Sequence, residues 1–301
     1  MLLIHVGIIN LYSYASPQHR VPESSEYILS TSGRESSVRR YRALLSEVLG
    51  MNIKYVTYEG KGGKIRPDEF THLIRSTNCI GAAISKDIKA SVISCLDDVD
   101  DTASTVQSAN TIVKLPNGSL KGFNTDYVGF KIAIRQGIME SEQMVSKVVV
   151  YGYGGVVNIV VAALCELNMD VYLCGRRLDE AKRRADELSV MYNGKIKRVN
   201  VKLWEDGMKM DMLVNAAPVT ERPLQEAANF ISAIDGVKVV FDHEMPGKFL
   251  KDYCDQHNIY HIPGTSMYYP QMLAQWILFL QDKGVHLTQE HIYQAEMLME
   301  R

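Results

Sequence analysis

No stretch of the 301-residue sequence approaches the roughly 18 uninterrupted apolar residues that a membrane-crossing helix needs. Residues 1–11 are apolar but short, interrupted and without a basic leader, so they read as a buried strand rather than a signal or anchor. An excess of either charge is missing too: 33 Lys and Arg stand against 35 Asp and Glu, scattered rather than gathered, for a formal charge of -2. Such a surface offers no field to hold a polyanion, which argues against nucleic acid as a partner. The five cysteines, Cys79, Cys95, Cys165, Cys174 and Cys254, never adopt C-x-x-C spacing. Neither a zinc knuckle nor a disulfide framework is therefore suggested, and the thiols read as small core residues in a reducing compartment. Internal repeats and low-complexity tracts are lacking as well. What remains is the expectation of a soluble, cytoplasmic globular protein, 46% hydrophobic and 23% charged, with no membrane partner and a monomeric or homodimeric state.

In the first half, apolar runs alternate with helical periodicity: a strand over 25–29, a helix over 37–49, a strand over 53–58 and a helix over 67–75. Residues 111–115 and 119–123 flank Pro116-Asn117-Gly118, and Asn-Gly is the strongest short-range hairpin signal, so these runs are expected to pair. A helix over 127–135 follows. After a polar stretch at 139–146, Lys147-Val148-Val149-Val150-Tyr151 reads as a fully buried strand meeting a glycine cluster. Strands over 170–174, 197–201, 211–214 and 237–241 then alternate with helices over 161–167 and 178–192, which predicts a mostly parallel sheet covered on both faces. Helices over 269–283 and 288–299 complete the chain. The expected fold class is α/β with two domains. One is an α/β substrate-binding domain over 1–126, to which 263–301 returns; the other is a Rossmann-type doubly wound parallel sheet over 127–262.

Gly152-Tyr153-Gly154-Gly155-Val156-Val157-Asn158 lies between a strand and a helix, the context that a dinucleotide fingerprint requires. Gly152 permits the tight turn, Gly154 and Gly155 let the backbone approach a pyrophosphate, and the helix N-terminus adds N–H groups and a positive dipole. The third small position of the fingerprint is Val157, where a branched side chain is expected to press on the contact between helix and strand. The next strand runs into Gly175-Arg176-Arg177, with no acid where NAD-binding proteins hold the ribose 2′-hydroxyl. Two guanidiniums there suit the 2′-phosphate of NADP, because Arg offers planar bidentate donors to phosphate oxygens.

Gly122-Phe123-Asn124-Thr125-Asp126-Tyr127-Val128-Gly129 is similar to the G-x-N-T-D-x-x-G signature of shikimate dehydrogenases, and Ser108-Ala109-Asn110-Thr111-Ile112-Val113 resembles their G-A-V-N-T-V strand. The stretch from Gly81 through Ser85 to Lys89 resembles their G-x-N-V-T-x-P-x-K, Asn215-Ala216-Ala217-Pro218 their N-A-T-P, and Gly264, Met267 and Gln271 their G-x-x-M-x-x-x-Q. The resemblance runs from about Tyr27 to Phe279. It implies a two-domain enzyme of aromatic amino acid biosynthesis, or a relative, in which a small-molecule substrate such as shikimate meets NADP in a cleft. It further implies Lys89 and Asp126 as the catalytic pair. Ser36, Ser37, Ser85, Asn110 and Gln271 would bind substrate, and Gly152, Gly154, Gly155, Arg176, Arg177, Asn215 and Gly264 would bind cofactor. Hydride transfer to a ketone builds charge on oxygen, so a positioned acid must supply a proton, and Lys89 with Asp126 as its counter-charge can do so.

The chain also departs from that pattern. The family holds a carboxylate with Ser-x-Ser, whereas Gly33-Arg34-Glu35-Ser36-Ser37-Val38-Arg39-Arg40 keeps one serine in register and offers arginines for an anion. Ala83 and Ser85 replace an asparagine and a threonine, Ala217 a threonine, and Met245 a tyrosine. Two readings follow: a dehydrogenase with a rebuilt pocket, or a binding or regulatory protein that keeps the fold without turnover. Retention of Lys89, Asp126 and Asn110 together favours the enzyme.

Overall fold

A computed structural model describes residues 25–32, 35–60, 62–85, 88–219, 228–244 and 248–298, with residues 35–37 and 248 as backbone only. The strand expected over 1–11 lies outside the described residues. The chain divides into two compact units, one drawn from Met1–Thr125 and Met272–Arg301 and the other from Asp126–Gln271.

In the first unit, β1 (Tyr27–Ser30), β2 (Lys54–Thr57) and β3 (Cys79–Ala83) run parallel. Helix α1 (Glu35–Ala43), continued by a wider turn over Leu44–Val48, and α2 (Pro67–Ser76) connect them. Pro67 at the start of α2 presets the helical φ where no N–H bond is lost, and Asp68 and Glu69 complement the helix dipole. After the short β4 (Asp98–Val99) and α3 (Asp101–Val106), whose N-cap Asp100 accepts the Ala103 N–H at 2.9 Å, comes the hairpin of β5 (Thr111–Lys114) and β6 (Leu120–Phe123). Its turn is a three-residue loop, Pro116-Asn117-Gly118, rather than a two-residue Asn-Gly turn: Gly118 takes the left-handed position at φ +85°, Asn117 does not, and Asn117 Oδ1 accepts the Ser119 N–H at 3.0 Å. The sheet order among the described residues is β2-β1-β3-β5-β6-β4, with β5 antiparallel to both neighbours. Tyr27, Leu29, Phe70, Leu73, Ile74, Ile112 and Leu120 form part of one buried cluster. Trp276, from the last third of the chain, is wholly buried against Tyr41 and Tyr55, with ring centroids 5.3 and 6.0 Å away.

The second unit opens on α4 (Thr125–Ser141), whose first residue still counts with the first unit, and then builds a wholly parallel sheet. Its strands are β7 (Lys147–Tyr151), β8 (Asp170–Cys174), β9 (Val201–Leu203), β10 (Met212–Asn215), β11 (Val239–Asp242) and β12 (Tyr260–Pro263), in the order β12-β11-β10-β7-β8-β9. That is two halves diverging from β7, with the order reversing beside it, the arrangement expected of a dinucleotide-binding sheet. Helix α5 (Val157–Glu166) is buried over nearly its whole circumference, which explains its apolar run, while α6 (Leu178–Tyr192) buries only one face. Helices α7 (Ala228–Ile234) and α8 (Lys248–His257) lead to β11 and β12. Helix α9 (Thr265–Leu280) and α10 (Gln289–Met297) end the described chain.

Several elements differ from the sequence reading. The edge strand expected over 197–201 forms at Val201–Leu203, because pairing of Val171 with Val201 and Leu173 with Leu203 fixes its register while Lys197 and Arg198 stay exposed. Helix α9 starts at Thr265 rather than 269, so Pro270 falls inside it, a position that local propensity argues against. Val157 is wholly buried as the first residue of α5, so its branched side chain is taken into the core instead of disrupting it. Cys95, expected in the core, lies half-buried on the short 3₁₀ turn Ser91–Cys95, whereas the other four thiols are buried.

Candidate functional site

Topology brings Ser85 and Asn110, two of the expected substrate residues, to one end of the first sheet, with Lys89 beside them. Because β5 runs against β3 and β6, the ends of β1, β3 and β6 and the start of β5 all meet there. Ser85 follows β3, and its Oγ and N–H bond to Thr31 just beyond β1: N–H to Oγ1 at 2.7 Å, and Oγ to the carbonyl at 3.2 Å. Lys89 is half-buried in the turn that leads into the 3₁₀ segment; its carbonyl accepts the Ala109 N–H at 2.8 Å, which ties it to the start of β5. Buried Ile88 and Val92 anchor the turn on either side, with the Val92 N–H donating to the Ile88 carbonyl at 2.9 Å.

Asn110 precedes β5 and is buried. Its Oδ1 accepts the Thr125 N–H at 2.8 Å and the Thr111 hydroxyl at 2.9 Å, while its Nδ2 donates to Thr125 Oγ1 at 2.9 Å. This side chain therefore caps α4 from a distance, and Asp126 stands in the first turn of the helix it caps. A glutamine the sequence reading did not single out completes the network: buried Gln275 donates Nε2 to Thr111 Oγ1 at 2.8 Å. Gln271, one turn earlier on α9, is half-buried instead, with its Cβ 2.6 Å from where a side chain on Gly129 would begin. Only their i,i+4 spacing hinted that the two amides share a helix face.

Ser36 and Ser37 lie on the backbone of α1, and their side chains are outside the described residues, as is Arg34. Arg39 is exposed, and Arg40 is committed to Glu296 at 3.2 Å. The anion role offered to Arg40 therefore competes with a partly buried ion pair in the same unit.

In the second unit, β7 is followed by Gly152, whose φ of +129° no side chain adopts comfortably and whose N–H donates to the Cys174 carbonyl at 2.9 Å. A Cβ there would fall 2.9 Å from the Ala216 carbonyl oxygen, so the loop after β7 lies directly against the loop after β10. Gly154 and Gly155 are the reverse case. Both are exposed, and a Cβ on either would meet nothing within 4 Å, which leaves their backbone open to a ligand at the start of α5. No side chain caps that helix start. An open glycine backbone leading into an uncapped helix fits a pyrophosphate.

At the end of β8, Arg176 and Arg177 are both exposed. The Arg177 guanidinium lies 5.9 Å from the Tyr153 ring centroid, and the Tyr153 hydroxyl, then Glu180, pushes its pKa still higher. Arg177 also lies 3.8 Å from Glu180, one turn along α6.

Asn215 ends β10 and is buried, its Nδ2 donating to Asp242 Oδ1 at 2.9 Å and its Oδ1 accepting the Ala217 N–H at 3.2 Å. Asp242, absent from the expected site, is the register partner of Asn215 across β10 and β11, a pairing visible only once the strands are aligned. Burial pushes its carboxyl up, partly opposed by the Asn215 bond, and its Oδ2 is buried without a hydrogen-bond partner. Gly264 is buried at the turn before α9, where its carbonyl accepts the Met267 N–H at 3.1 Å.

Comparison with known proteins bears on this arrangement. No family model matches the chain. The shikimate dehydrogenase (NADP(+)) of Halothermothrix orenii is 32% identical over 184 residues, which is 58% of this chain and 61% of that protein. The aligned stretch spans about three-fifths of the length of such curated relatives. Among solved structures, the quinate dehydrogenase from Corynebacterium glutamicum in complex with NAD superposes with a TM-score of 0.75 at 19% identity, covering 91% of this chain and 99% of that one. The ligand-free 5-ketofructose reductase of a Gluconobacter strain gives 0.71 at 19% identity over 92% and 100% of the two chains. The chain therefore has the two-domain fold of the shikimate dehydrogenase type and is similar to those enzymes in sequence, as a divergent relative.

Proposed function

We propose that the protein is an NADP-dependent oxidoreductase that moves a hydride reversibly between NADPH and the carbonyl of 3-dehydroshikimate or a related small polar cyclic compound. The observation that carries this reading is the gathering of Ser85, Lys89, Asn110 and Thr125, the neighbour of Asp126, at one end of the sheet, from the segments after β3 and β6 and before β5. When bound, NADPH supplies the hydride. Gly154 and Gly155 at the start of α5 would cradle its pyrophosphate, with Gly152, Asn215 and Gly264 shaping the surrounding loops, and Arg176 and Arg177 would hold its 2′-phosphate.

Lys89 donates a proton to the substrate oxygen as negative charge develops there, and accepts the hydroxyl proton in the reverse direction. Asp126 balances and orients the Lys89 ammonium. Ser36, Ser37, Ser85 and the amides of Asn110 and Gln271 hold hydroxyl and carboxylate groups of the substrate. The Ser85 hydroxyl already bonds to Thr31, and the Asn110 amide to Thr111 and Thr125, so both present groups whose orientation is set before substrate arrives.

The reading is tested by following reduction of NADP+ and NAD+ with shikimate, quinate and their amino analogues. Turnover with one of these and NADP+ is the expected result. Tight nucleotide binding with no turnover on any would favour the fold-retaining binding protein instead. Neutralising Arg176 and Arg177 together should weaken NADPH roughly tenfold or more while leaving NADH nearly unchanged.

A further inference from the structure

In dinucleotide-binding sheets the adenosine ribose is read at the end of the second strand, where an NAD enzyme places an acid. Here that place is Gly175, immediately after β8. Its φ is not in the left-handed region, so the backbone does not require glycine there. A Cβ at Gly175 would lie 2.5 Å from Cε1 and 2.8 Å from Cδ1 of Tyr153, so a side chain there would have to displace that ring. The aromatic ring thus fills the volume that a side chain at the ribose-reading position would occupy. Gly175 is pinned from its other side by Asn229, whose Nδ2 donates to the Gly175 carbonyl at 2.9 Å. Tyr153 itself springs from the glycine loop, between Gly152 and Gly154, and remains partly exposed.

We propose that Tyr153 has taken over the ribose-reading role that Gly175 vacates, and that its hydroxyl, beside Arg177, donates to the 2′-phosphate of NADP. This rests on the cofactor reading above and adds a specificity-determining residue to it. The chemistry of the exchange is one-directional. A carboxylate at this place accepts from a 2′-hydroxyl and repels a 2′-phosphate, whereas a phenol is neutral and can donate to phosphate oxygens. The Arg177 guanidinium, 5.9 Å from the ring centroid, adds the positive charge on the same side. Aromatic ring, missing side chain and arginine lie together at this one place.

The test titrates the parent and two variants with NADPH and with NADH. Tyr153→Phe keeps the ring against Gly175 and removes only the hydroxyl, so NADPH affinity should fall about tenfold while NADH changes less than about twofold. The double variant Tyr153→Ala with Gly175→Asp opens the space and restores an acid, and should prefer NADH. An unchanged NADPH affinity in Tyr153→Phe, or an equal loss for both nucleotides, would overturn the role of Tyr153 while leaving the cofactor reading intact. A parent that binds neither nucleotide would retire both.

Discussion

Asn110 Oδ1 accepts the backbone N–H of Thr125 at 2.8 Å, joining the start of strand β5 to the first turn of helix α4 across fifteen residues of chain. A helix start normally takes its cap from the residue just before it. Here the cap comes from the neighbouring strand of the sheet, so the helix start at Thr125 is tied to the β5–β6 hairpin being in register.

Replacing Asn110 with alanine should therefore destabilise the fold before it does anything else. The Thr125 N–H and the Thr111 hydroxyl would both lose a buried acceptor, a loss of about 2–4 kcal/mol by the usual cost of such groups. Thermal and urea melting of the variant read this directly. A melting curve matching the parent's would mean that water replaces the amide at no cost.

Lys89→Met should lower turnover by about 10²–10⁴-fold, the ordinary worth of a general acid–base group, while nucleotide affinity survives. Asp126→Asn should lower kcat in the same direction by removing the counter-charge. Steady-state kinetics with the best substrate from the screen, together with nucleotide titration, separate these outcomes. A Lys89→Met protein that works at the parent rate would remove Lys89 from the mechanism.

Asp242 links stability to pH. Its folded carboxyl titrates above the unfolded value near 3.8, because burial disfavours the charge. The folded state thus holds this proton more tightly than the unfolded chain does. Stability from this group is fully present below about pH 3.8 and is lost as pH rises through the higher folded value. Asp242→Asn keeps an acceptor for Asn215 and removes the charge, so its melting temperature should fall less than the parent's on going from mildly acidic to neutral pH. Parallel pH profiles for the two proteins would show that the site tolerates the ionised form.

The thiols should divide sharply. Burial pushes Cys79, Cys174 and Cys254 up to about 12, and Cys165 is raised as well, which leaves little thiolate at neutral pH. Cys95 is the half-buried one. A disulfide reagent should modify a single thiol promptly in the native protein, mapped to Cys95 by peptide analysis, and all five after unfolding in denaturant. Rapid reaction at Cys79 or Cys174 would reveal opening of the sheet to which each belongs.

Much of this protein is decided by local sequence. The Asn117-Gly118 turn, the strand at Asp170–Cys174 and the helix at Leu178–Tyr192 stand where periodicity and turn chemistry put them, because turn and helix close their own backbone bonds and the strand's apolar run marks it for pairing with β7 and β9. The glycine loop likewise declares itself, since Gly152 needs its φ and Gly154 and Gly155 need their bareness wherever the rest of the chain goes. Other features belong to the tertiary structure alone. The register of Val201–Leu203 is set by β8, the pairing of Asn215 with Asp242 by adjacent strand ends, and the choice of Gln275 rather than Gln271 for the buried network by where Thr111 happens to lie. The same holds for Gly175, which lies against a tyrosine ring from twenty-two residues earlier in the chain. Short-range rules act through the backbone's own bonds and dihedrals. These partners are joined only by sheet order, and sheet order is fixed by burying two cores at once.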